Sequence, residues 1–110
     1  MKNQNPPDYA TGLGETVRAH RLYLGLSKET MARRLGMNPR SYERIESNQR
    51  PCPPGLLDTI DSVAEAFDTA VENAAAGEWA LEIKTTTDEW TRAVYGRAAV
   101  ESGRTLHSSS

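Results

Sequence analysis

Arg40 and Arg44 stand four residues apart with Glu43 between them, in the stretch NPRSYERIE. That spacing is close to one helical turn, so on a helix both guanidiniums leave from the same side. A helical wheel puts Arg40, Glu43, Arg44 and Ser47 on one face and Tyr42, Ile45 and Glu46 on the opposite one. A guanidinium can donate two parallel hydrogen bonds to a pair of coplanar acceptors, the arrangement that guanine O6 and N7 present. The bland alternative is a helical hairpin with solvated charges. Other chemistry is poorly supplied. His20, His107 and Cys52 are too few soft ligands for a structural zinc site. Asp61 and Glu65 fall one turn apart, as on a solvated helix face, and a Cys52–His20 pair has no orienting third residue in view. No glycine-rich phosphate loop occurs. Neither catalysis nor a metal or cofactor is expected.

The elements that must position the two arginines are written in the flanking residues. Ser27 is a natural N-cap for a helix that carries Met31, Ala32 and Leu35 inward and stops at Gly36, where a left-handed residue is needed. Asn38 caps the next helix, and Pro39 takes its first position, where a missing N–H costs nothing. Before them, Leu13, Val17, Arg21 and Leu24 line one face of a helix ending near Gly25. Two short helices with a tight break between them present the second one outward.

This stretch, GLSKETMARRLGMNPRSYERIESNQRP, closely resembles the helix-turn-helix of the phage repressor and Cro family, the xenobiotic-response-element class, over about residues 13 to 67. The resemblance implies a mainly α, lambda-repressor-like helix-turn-helix bundle of four to five helices, here with a C-terminal strand-helix extension. It implies a sequence-specific regulator of double-stranded DNA that acts as a homodimer on a pseudo-palindromic operator, its recognition helix 39–47 lying in the major groove. Carried over residue by residue, the base readers would be Arg40 and Arg44. Glu43 would accept from a cytosine amino group or pair with an arginine. Lys28, Asn38, Ser41, Asn48, Gln49 and Arg50 would hold the DNA backbone. The family pairs the positions of Arg21 and Glu46 in a salt bridge between the first helix and the recognition helix. The chain departs from the pattern in three places. Asn48 stands where the family usually has a left-handed glycine, and asparagine is the next best residue there. Thr30 replaces a capping glutamate. Pro39, a reader position in some relatives, offers only van der Waals contact, so no relative's target sequence transfers.

Composition allows this reading. The chain has 110 residues, 37% of them hydrophobic and 25% charged, as expected of one soluble domain with an appended element. The net charge of −2 looks wrong for a DNA binder, but it is unevenly placed. Residues 13 to 53 hold eight Arg or Lys against four Asp or Glu, and residues 54 to 110 hold four against ten. A basic segment on an acidic protein is the electrostatic footprint of a small DNA-binding module. No long apolar run or signal-peptide pattern appears, and Cys52 is the single cysteine, so a reducing, cytoplasmic setting is expected.

Along the rest of the chain, residues 1 to 12 read as a flexible arm and 13 to 76 as the DNA-binding domain. The proline-rich segment after Arg50 is a stiff connector that becomes helical at about Pro54. Leu56, Ile60, Val63, Phe67 and Val71 then form the apolar stripe of a long helix ending at Gly77. Residues 77 to 102 read as a strand-helix extension. Trp79, Leu81 and Ile83 alternate as in a strand, and Thr86 to Glu89 is a capping box before a final helix carrying Trp90 and Val94. Residues 103 to 110 read as a disordered tail. With no second strand in view, strand 78–85 is expected to pair with its copy in a second subunit, making Trp79, Leu81, Ile83, Trp90 and Val94 the dimerisation element; dimerisation through the long helix is the alternative. Two other functional readings stay open: an antitoxin-type autoregulator whose extension holds a protein partner, and an interaction adaptor that keeps the fold without binding DNA. No membrane association is expected.

Overall fold

The first three helices of the described residues end in the same way, and the residues that allow it are Gly25, Gly36 and Asn48. In the computed structural model, which describes residues 11–109, α1 spans Gly14–Leu24, α2 Lys28–Arg34 and α3 Pro39–Glu46. Each is followed by a residue of positive φ, at 74°, 71° and 63° respectively. That turn lets the next N–H reach back to an orphan carbonyl of the helix: Leu26 to Arg21 at 3.2 Å, Met37 to Ala32 at 2.8 Å, Gln49 to Arg44 at 2.7 Å. Asparagine therefore does at the end of α3 what glycine does in the other two.

Then follow α4 (Leu56–Ala76), β1 (Leu81–Ile83), α5 (Glu89–Ser102) and β2 (Leu106–Ser108), giving a mainly helical protein with a two-stranded sheet among the described residues. The chain divides into two compact units, the division falling inside α4 between Val63 and Ala64. In the first, Val17, Leu24, Met31, Ala32, Tyr42, Ile45 and Ile60 are buried. Their helical spacing on α1 to α4 is what lets four short amphipathic surfaces close on one another, each large side chain contributing about 1.5–3 kcal/mol. Helix α4 begins at Leu56 and not near Pro54, because Gly55 lies at φ 79° and still belongs to the entering turn.

The second unit is built on Phe67, Val71, Leu81, Ile83, Val94 and Ala98, all buried. Trp90 meets Phe67 edge to face at 5.3 Å, and the Arg97 guanidinium lies over the same Phe67 ring at 5.5 Å. Three expectations are corrected here. The N-cap of α5 is Asp88, whose side chain accepts from the Thr91 N–H at 2.7 Å, and not Thr86. The preceding turn needs its own threonine: the Thr87 hydroxyl accepts from the Lys84 N–H at 2.8 Å, leaving the helix to begin after it. The segment from Gly103, expected to be disordered, carries β2. And β1 is not a lone strand: it pairs in parallel with β2, Leu81 opposite Leu106 and Ile83 opposite Ser108, with α5 as the crossover that a parallel pair requires.

The pairing is held at its entry by Arg104. Its guanidinium donates to the carbonyls of Ala74 at 2.7 Å and Ala75 at 3.4 Å, and to that of Trp79. A cation on the orphan carbonyls at a helix C-terminus is favourable in charge as well as in hydrogen bonding. Trp79 lies against Gly77, where a side chain would overlap the indole ring. The proposed dimerisation set is thereby changed in character: Leu81, Ile83 and Val94 are consumed inside the single chain, while Trp79 stays 49% exposed. The unpaired-strand argument for a second subunit falls, because the chain supplies the partner strand itself. The expected arm at residues 1 to 12 lies, but for its last two positions, outside the described residues.

Candidate nucleic-acid interface

Helix α3 is short, eight residues, so its orientation depends on what holds its two ends. At the start, the Asn38 side-chain oxygen accepts from the Arg40 N–H at 2.8 Å and the Ser41 N–H at 3.4 Å. The first-turn amides are therefore satisfied within the chain, and Pro39 has none to offer. At the far end, Asn48 accepts from the Gly14 N–H through its side-chain oxygen at 2.9 Å. A Cβ on Gly14 would run into the Glu46 and Ile45 carbonyls and the Asn48 side chain. Gly14 is thus the contact point that brings the start of α1 onto the end of α3. Nothing local in the sequence marks it; a glycine beside the first apolar residue of a helix is a weak signal.

Between these ends lies a buried ion pair. Arg21 Nε donates to Glu46 Oε2 at 2.7 Å and Nη2 to Glu46 Oε1 at 3.1 Å, while Nη1 donates to the Leu26 carbonyl at 3.0 Å. One guanidinium thereby joins α1, α3 and the turn after α1, with the Arg21 and Glu46 side chains only 10% and 4% exposed. The hydrogen bond to Glu46 raises the Arg21 pKa above its ordinary value, more than burial lowers it. For Glu46, burial is the largest single influence and would raise the pKa, but the hydrogen bonds and charge of Arg21, together with Tyr42 and Lys28 nearby, outweigh it and hold the carboxyl below the usual glutamate range. Tyr42 packs beside the pair, fully buried, and its hydroxyl has no hydrogen bond of ordinary geometry among the described residues. Burial first, then the Glu46 carboxylate beside it, pushes its ionisation upward.

The outward face of α3 is polar and open. An open groove of about 530 Å³ is lined by Arg40, Glu43, Arg44, Ser47 and Gln49, with Lys28 from α2 and Arg18 from α1 beside them. Arg40 and Arg44 are exposed and make no ion pair among the described residues. Glu43, left open between a base contact and an arginine partner, instead faces Lys28, its Oε2 at 3.5 Å from Nζ. Asn38, Ser41, Asn48 and Arg50 lie outside the groove lining, and the oxygens of both asparagines are engaged within the chain. Arg18 and Glu15 in the groove were not singled out by sequence reasoning; their only signal is position, three and six residues before Arg21 on α1.

A short helix fixed at both ends, anchored inside by an ion pair and carrying two unpaired guanidiniums outside, defines a helix-turn-helix protein. Comparison with known families agrees: the chain matches the family described as "Helix-turn-helix domain", of the xenobiotic-response-element and Cro-like type, over residues 12–76, and it belongs to that family. No curated protein and no solved structure matches the chain. Among the described residues no helix is long and apolar enough to cross a membrane, and no group of three or more His, Cys, Asp or Glu is placed to hold a metal ion. Cys52 is buried, which raises its thiol pKa and keeps it from acting as a ready nucleophile.

Proposed function

We propose that this protein is a cytoplasmic transcriptional regulator that binds a specific double-stranded DNA sequence by laying α3 in the major groove. The observation that carries the reading is the exposed, unpaired state of Arg40 and Arg44 on the outer face of a rigidly held recognition helix. In this reading the two arginines take guanine O6 and N7, and Glu43 accepts from a cytosine amino group where the sequence offers one. Lys28, Gln49 and Arg50 meet phosphates, with the Ser41 hydroxyl and the side-chain NH2 groups of Asn38 and Asn48 adding neutral donors. An eight-residue helix is only about 12 Å long and reads few base pairs. Adequate specificity therefore calls for two copies on a pseudo-palindromic operator, where occupancy excludes or repositions polymerase.

Selection of bound duplexes from a random pool tests the proposal. Enrichment of a two-fold-related, guanine-containing site with steep salt dependence is the expected result; recovery of no consensus, with salt-independent binding, would sink it. A second reading, that the C-terminal unit also holds a protein partner, is favoured by one feature: a cleft of about 280 Å³ lined by Ala70, Trp79, Trp90, Val94 and Tyr95, with Trp79 half exposed.

A further inference from the structure

The groove over α3 holds more charge than the two readers explain. Arg18 Nη1 lies 3.8 Å from Glu15 Oε1, and Lys28 Nζ lies 3.5 Å from Glu43 Oε2. All four side chains are substantially exposed, between 46% and 81%. Exposed pairs of this kind are weak, so each carboxylate is readily exchanged for another anion. The anion abundant at this face during DNA binding is phosphate.

We propose that Glu15 and Glu43 act as internal stand-ins for DNA phosphate, holding Arg18 and Lys28 beside the groove in the free protein, and that Arg18 is a further backbone contact supplied by α1. The proposal rests on the DNA-binding reading and adds a selectivity device to it. When DNA arrives, Lys28 turns to a phosphate and Glu43 loses its cation. On a matched sequence the Glu43 carboxylate accepts from a base amino group; on any other it faces the polyanion unpaired. Glu43 thus lowers affinity for unmatched DNA more than for the operator, which raises discrimination while reducing binding overall. Arg40 and Arg44, having no such partner, are free to read from the outset.

The test measures binding of the full chain to a random-sequence duplex and to the selected operator across a salt series. Arg18→Gln should weaken binding to both and reduce the log–log salt slope by about one, the signature of one lost phosphate contact; Arg18→Lys, keeping the charge, should retain the wild-type slope. Glu43→Gln should tighten binding to the random duplex about two- to fivefold and narrow the operator-to-random ratio. Melting by circular dichroism establishes that each variant is folded. An Arg18→Gln variant with wild-type slope, or a Glu43→Gln variant with unchanged or weaker affinity for random DNA, would overturn the proposal. Wild-type protein that binds neither duplex would overturn the DNA-binding reading itself.

Discussion

The Asn48 side-chain oxygen accepts the Gly14 N–H at 2.9 Å, tying the first residue of α1 to the residue that closes α3. Asn48 serves twice, since its φ of 63° also makes the turn that ends α3. Gly14→Ala should therefore destabilise the fold by about 1–3 kcal/mol, because its methyl group meets backbone carbonyls that cannot move aside cheaply. Asn48→Gly keeps the turn and loses only the hydrogen bond, about 0.5–1.5 kcal/mol, while Asn48→Ala loses both and should be worse. Urea midpoints rank the three; a Gly14→Ala protein as stable as wild type would show that the two helices separate freely.

Arg21 and Glu46 are held in a buried two-point pair. Removing either partner strands the other charge and should cost about 3–5 kcal/mol. Replacing both with apolar residues of similar volume should cost less than the two single changes added together. Additive effects below one kilocalorie, roughly the surface-pair range, would contradict the burial seen here.

The same pair sets an acid limit on stability. The folded-state pKa of Glu46 lies below its unfolded value, so the ionised carboxylate favours the folded protein. That contribution is fully present above the ordinary glutamate pKa of about 4.3 and is lost as pH falls through the lower folded value. Glu46→Gln should flatten the acid limb of a stability–pH curve measured by denaturation. If the two curves run parallel below pH ~4, Glu46 is not the group responsible.

Arg40→Ala and Arg44→Ala should each weaken operator binding by about 1–3 kcal/mol and relax preference at one base position. Both side chains are exposed, so neither change should shift the melting temperature. Competition binding with single-base operator variants reads the effect, and unaltered base preference in both proteins would remove α3 from the recognition role.

Arg104 reaches from beyond α5 to carbonyls at the end of α4. Arg104→Ala should loosen the C-terminal unit by about 1.5–3 kcal/mol, the range for hydrogen bonds to a charged group. The half-exposed Trp79, whose own carbonyl Arg104 also holds, should report the change in fluorescence. Amide exchange of β1 should rise with it; protection unchanged in Leu81 to Ile83 would mean β2 stays paired without the arginine.

What the amino-acid order determined by itself was local, and not all of that: Thr86 reads as the cap of α5, a role that Asp88 takes. Ser27, Asn38 and Pro39 mark helix starts because a cap or a missing N–H acts within three residues of its own position. The stripe from Leu56 to Val71 is legible because apolar burial repeats with the helical turn. The outward placement of Arg40 and Arg44 follows from the same geometry once the helix is known. Arg21 and Glu46, 25 residues apart, were paired only through resemblance to a family, since no local rule joins them. Tertiary structure alone decided the rest. Gly14 matters because the Ile45 and Glu46 carbonyls and the side chain of Asn48, 34 residues away, approach it, and Lys28 faces Glu43 because α2 and α3 cross as they do. Leu106 to Ser108 is a strand although it has no alternating apolar pattern and all three residues are exposed. Its conformation comes from the free edge of β1 and from Arg104 fastening the chain beside it, two long-range conditions that the three residues themselves do not encode.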